Sequence, residues 1–207
     1  IFAIVAGTVA KQGIATITSL AGMVMVLYIA LFVHAGLYCL AMLVSGVKVG
    51  NFIRYARTPI VKAFATQSSS GTLPITMNAA SNMGLSHRAY SFILPLGATI
   101  NMDGAAIRIA ISAVFAANVM GVPLDLMQMV QIVIVGTLAT IGTAGVPGAG
   151  IIMIATVFAQ VGLPIETVAL LAAIDSLVGM GATALNVTGD LVGAAIISRN
   201  EKDEAIE

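Results

Sequence analysis

The chain has 207 residues, 59% hydrophobic and only 9% charged, whereas soluble domains carry roughly a quarter charged residues. Nine basic and nine acidic side chains cancel, so no basic face points to nucleic acid, and one cysteine, Cys39, excludes a disulfide framework within the chain. This is the composition of a membrane protein, and the expected location is the plasma (inner) membrane, crossed more than once.

Residues 1–10 predict the end of one span, "KQG" at 11–13 a polar break, and 14–46 a helix that can cross at a tilt, since crossing takes roughly 20 apolar residues. The opening "IFAIVAG" lacks the basic segment and small-residue cleavage site of a signal peptide, so the chain reads as the C-terminal part of a longer protein. "SGVKVGNFIRYAR" (45–57) is the first clearly polar connection. Residues 1–50 are therefore expected to hold one partial and one full span, 51–198 a separate core, and 199–207 a cytoplasmic tail.

Within the core, 51–67 and 72–84 are each short for a crossing and flank "SSSGTLP" (68–74). Residues 126–141 and 151–162 do the same around "GTAGVPGAG" (142–150). Clustered Gly and Pro break helices, which predicts two re-entrant helical hairpins, 51–84 and 126–162, with small-residue tips. Each hairpin precedes a long span with a polar interruption: 89–121 contains "NMDG" and 167–198 contains "NVTGD". Matching interrupted segments in two halves are a sequence signature of transporter binding sites. Lys48, Arg54, Arg57, Arg88, Arg199 and Lys202 fall at one set of ends, with Asp125 and Glu166 at the other, near Lys11. The positive-inside rule makes the first set cytoplasmic, so the two repeats are inverted.

Four charges remain at depth: Asp103, Arg108, Asp175 and Asp190. Ionisable groups inside a membrane are costly and mark function. Asp175, Gly179, Ala182, Thr183, Asn186 and Asp190 are spaced 4, 3, 1, 3 and 4 and share one helix face. Such a stripe also suits helix–helix packing. Asp103 and Asp190 beside broken helix, where carbonyls are free, make a hard-ion site suited to Na⁺. His34 and His87 lie far apart and form no competing metal cluster. The serine tip (Ser69, Ser70) and Gly148–Gly150 each place backbone N–H groups at a helix N-terminus, which attracts anions. The expected ligand is thus a small carboxylate held between two tips with Na⁺. No nucleophile has a base at suitable spacing, so an enzyme is not expected.

"SSSGTLPITM", "LPLGATINMDG", "IGTAGVPGAG" and "NVTGD", in this order along the chain, resemble the dicarboxylate/amino acid:cation symporter family, the glutamate-transporter homologues. The resemblance implies an all-α membrane fold, an elevator-type transport domain and a homotrimer built through an N-terminal scaffold outside this sequence. It implies symport with Na⁺, or with H⁺ as the alternative. One Na⁺ site would use carbonyls of Gly97, Asn101 and Asn186 with the Asp190 carboxylate. A second would use carbonyls around Thr99, Met102, Thr140, Ile141 and Thr143. A third would use the side chains of Asn101 and Asp103 with partners further upstream. Ser69, Val146, Gly150, Thr183 and Asn186 align with substrate contacts.

Five positions depart from the family pattern. Gly179 replaces an Asp that holds a substrate ammonium, and Ala182 an Arg that clamps a side-chain carboxylate. Ala105 replaces a Thr that assists the clamp, and Gln67 an Arg at the first tip. Arg108 stands where an aromatic is usual. It has three readings: a substitute positive charge in the site, a partner for Asp175, or a side chain turned to water. These departures favour an organic acid over an amino acid. A neutral amino-acid symporter with a rebuilt ammonium site and a proton-coupled carrier are the alternatives, and an anion channel or scaffold is the reading from another class.

Overall fold

A computed structural model describes residues 14–141, 143, 145–199 and 201. The expected span at 1–10, the break at 11–13 and most of the tail lie outside them. Among the described residues the fold is all helical.

Helix α1 (Ile14–Val44) is about 46 Å long at 1.5 Å per residue. It buries Leu20, Met23, Leu27 and Leu31, one stripe at three- and four-residue spacing, and exposes Met25, Val26, Ile29, Phe32 and Val33. A helix that buries one apolar stripe and leaves another uncovered is suited to a lipid or protein neighbour.

Helix α2 (Val49–Thr66) stops where Gln67 turns left-handed at φ 53°. Helix α3 (Ser69–Asn82) begins at once, because Ser68 Oγ accepts the Gly71 N–H. The first tip is therefore only Gln67–Ser68, and the second arm begins at Ser69 rather than the expected 72. Helices α2 and α3 pack against each other.

Helix α4 (His87–Ile100) and helix α5 (Asp103–Met120) are separated by Asn101 and Met102, whose backbones leave helical geometry. The break falls within the "NMDG" segment. Helix α6 (Leu126–Thr140) starts with a capping box between Asp125 and Gln128. Helix α7 (Ala149–Val161) pairs with it, ending at Gly162 with φ 73°.

The expected single span 167–198 is two pieces, α8 (Glu166–Ala172) and α9 (Asp175–Ser198). The interruption lies at Ala173–Ile174, not in "NVTGD". Helix α9 runs unbroken through Asn186 and Asp190 because the polar side chains there find partners without displacing the backbone ladder. Thr188 Oγ1 donates to the Ala184 carbonyl at 2.7 Å, and Asn186 Oδ1 accepts the Gly104 N–H at 2.8 Å.

Helix α9 is the hub, packing against α1, α2, α4 and α5. Small residues permit this: a Cβ on Gly181 would run into Leu31 and Tyr28 of α1. Among the described residues, three helical stretches are long and apolar enough to cross a membrane: Ile17–Val44, His87–Met120 and Asp175–Ser198.

Candidate functional site

The two tips, the α4–α5 break and the polar face of α9 meet around one cavity of about 60 Å³. Gln67 and Ser69 reach it from the first tip, and Gly145, Val146, Gly148, Ala149 and Gly150 from the second. Met102, Ala105 and Arg108 come from the break and α5, and Gly179, Ala182, Thr183 and Asn186 from α9. Every residue expected to contact substrate therefore borders this space except Ser70, whose side chain is exposed.

The tips are tied by a residue the sequence reading left out. Ser68 is buried, and its hydroxyl donates to the Gly145 carbonyl at 2.7 Å while accepting the Gly71 N–H at 2.9 Å. The Ser70 N–H donates to the same carbonyl at 3.3 Å. The signal was present, since a serine ahead of a helical run is an N-cap candidate. Ser68→Ala is expected to cost about 1–2 kcal/mol of stability, because it removes a cap and the shorter of two hydrogen bonds to the buried Gly145 carbonyl. Thermal unfolding in detergent measures this, and an unchanged midpoint would show that the tips do not depend on the hydroxyl.

Beside the cavity, Asn101 Nδ2 donates to Asp190 Oδ1 at 2.9 Å and to the Asn186 carbonyl at 3.2 Å. Gly97 presses on the same carboxylate, leaving no room for a Cβ. Four residues of the first expected cation set are thus brought together. Asp190 is 4% exposed, and among the described residues no cationic side chain pairs with it. Asn186 is held at both ends of its amide, by the Gly104 N–H and by Met102 Sδ at 3.2 Å.

Met102, Thr140 and Thr143 border the cavity. Thr99 and Ile141 have exposed side chains and do not line it.

Asp103 is held from within the described chain. Tyr38 of α1 donates its hydroxyl to Asp103 Oδ2, and His34 Nε2 lies 3.2 Å from the same oxygen. His34 thus lies beside an acid 69 residues away in sequence. Two hydrogen-bonding side chains four residues apart on an apolar span were the available signal.

Arg108 is 5% exposed, which excludes the reading that turns it to water. Its Nη2 forms an ion pair with Asp175 Oδ1, and it also lines the cavity. The other two readings therefore hold as geometry: it is both a partner for Asp175 and a positive charge at the site.

The sodium:dicarboxylate symporter family model matches residues 1–200. An excitatory amino acid transporter of Caenorhabditis elegans is 45% identical over 143 residues, 69% of this chain and 28% of that protein. The human excitatory amino acid transporter 2 is 38% identical over 187 residues, 88% of this chain and 33% of that protein. The mouse neutral amino acid transporter B(0) is 41% identical over 148 residues, 71% of this chain and 27% of that protein. The chain spans about a third or less of the length of these relatives.

Proposed function

The chain belongs to the sodium:dicarboxylate symporter family, an integral membrane transporter family and not one of enzymes, and on that premise we propose that it is the substrate-carrying part of a Na⁺-coupled symporter for a small carboxylate. The observation that carries the reading is the meeting of two helix tips, a broken helix and a polar helix face around one cavity.

In this reading the α2–α3 and α6–α7 pairs are re-entrant hairpins of inverted repeats, and their tips hold the substrate carboxylate. The starts of α3 and α7 supply partial positive charge there. Ser69, Val146, Gly150, Thr183 and Asn186 bind the ligand, with Gln67, Gly179 and Ala182 shaping the space around it.

Sodium travels with the substrate. Asp190 fits such a cargo because it is a buried acid with no cationic side chain against it among the described residues. Carbonyls of Gly97, Asn101 and Asn186 complete that site. Carbonyls around Thr99, Met102, Thr140, Ile141 and Thr143 form a second, and Asn101 with Asp103 a third. The domain 51–198 moves as an elevator against a scaffold in a homotrimer, embedded in the lipid bilayer.

The present cavity has room for only about four waters, at roughly 15 Å³ each. In this reading a larger ligand enters as the tips part, so that they act as a lid.

The test is uptake of labelled succinate by the full-length protein reconstituted in vesicles, with Na⁺ replaced by choline. Uptake is expected to collapse. Uptake that persists in choline but follows a proton gradient would replace sodium coupling with the proton-coupled alternative.

A further inference from the structure

We infer that Arg108 is the specificity-determining residue of this site, clamping a second ligand carboxylate from α5, so that the preferred substrate is a short dicarboxylate without an ammonium group. The inference deepens the carboxylate reading above and rests on it.

Among the described residues, Arg108 is the one charged residue that borders the cavity. A guanidinium has five N–H donors. Among the described residues only Nη2 has a partner, Asp175, and Nε is buried with none. Unmade hydrogen bonds on a buried charged group are expensive, and Nη1, which faces Gly150 and Gly179 and has no partner among the described residues, is the donor edge that a ligand can meet.

The position of the group adds a second reason. A Cβ on Gly150 would collide with Nη1, and one on Gly179 would come within 3.5 Å of it. Two glycines therefore make the berth of the guanidinium. Gly150 is the second residue of α7, the positive end of that helix. A cation against a helix N-terminus is repelled unless an anion lies between them. Asp175 offsets the charge from one edge only. A carboxylate in the cavity meets both the remaining guanidinium edge and the start of α7.

The same inventory disfavours amino acids. Among the described residues no acid borders the cavity, and at Gly179 the nearest group is the neutral carboxamide of Gln67. An ammonium would find a guanidinium and no counter-ion, and such an unpaired charge discriminates against the ligand that carries it.

The experiment is calorimetric titration of the full-length protein in Na⁺ with succinate, butyrate and aspartate. Succinate is expected to bind more tightly than either of the others. Arg108→Gln is expected to shift the ratio of succinate to butyrate Kd by about 30-fold or more, the effect of losing one partner of a buried charge pair. If the arginine is only a tie to Asp175, both affinities fall in step and the unmoved ratio overturns the inference. Tighter binding of aspartate than succinate overturns it as well. Should Arg108→Gln not fold, Arg108→Lys keeps the charge and loses the planar fork. A ratio shifted in the same direction supports the clamp, and an unmoved one sinks it. Failure of the unmodified protein to bind any of the three would overturn the carboxylate reading itself, whereas binding with an unmoved ratio removes only Arg108.

Discussion

Asp190→Asn is expected to raise the Na⁺ concentration needed for half-maximal effect by about 100-fold, the scale of removing one partner from a buried charge pair. The substitution preserves shape and removes charge. Asp190 is buried, and its Oδ1 is held by Asn101. An acid in that setting is destabilising until a cation joins it. The variant therefore has two linked signatures. Without Na⁺ it should be at least as stable as the unmodified protein, because an uncompensated charge has gone. With Na⁺ it should lose the stabilisation that binding confers on the folded state. Thermal unfolding of the full-length protein across a Na⁺ titration reads both. A variant whose midpoint climbs with Na⁺ as steeply as the unmodified protein's would remove Asp190 from the cation site.

The second large effect is expected at Gly104, in the first turn of α5. A Cβ there would fall on the backbone of Ala182 in α9, which no rotamer change can clear. The Gly104 N–H also donates to Asn186 Oδ1. Gly104→Ala must push α5 from α9, at a cost of about 3 kcal/mol, the upper part of the range for overpacking. Those helices form two walls of the cavity, so ligand affinity should fall with stability. Gly193→Ala, in the same α9, supplies the contrast. Nothing lies within 4 Å of its Cβ position, and relief of backbone entropy should make it neutral or stabilising by roughly 0.5–1 kcal/mol. Equal unfolding midpoints for the two variants would mean that the α5–α9 crossing is looser than drawn.

Local chemistry made much of the site readable in advance. The spacing of Gly179, Ala182, Thr183 and Asn186 places them on one helical face, and all four border the cavity. "NMDG" marks a break, and the helix does leave its geometry at Asn101 and Met102. "NVTGD" looked equally disruptive and is not. Whether Asn or Thr breaks a helix depends on where its side chain bonds, and here Asn186 finds Gly104, 82 residues away in sequence. The partners of Asp103 were missed for the same reason: Tyr38 and His34 precede it by 65 and 69 residues.

Composition and short-range patterning decided by themselves that this is a helical membrane protein with interrupted segments and a polar face on its last long helix. Those properties follow from the cost of exposed peptide groups in lipid and from the period of the helix, both set within a few residues. Only the tertiary structure decided that Ser68 ties one tip to the other, that Arg108 pairs with Asp175 at the cavity wall, and that Asp190 meets Asn101. Each of these depends on how closely two distant helices approach. That distance is governed by the bulk of the residues at their crossing, as at Gly104 against Ala182, and not by the propensity of any one segment.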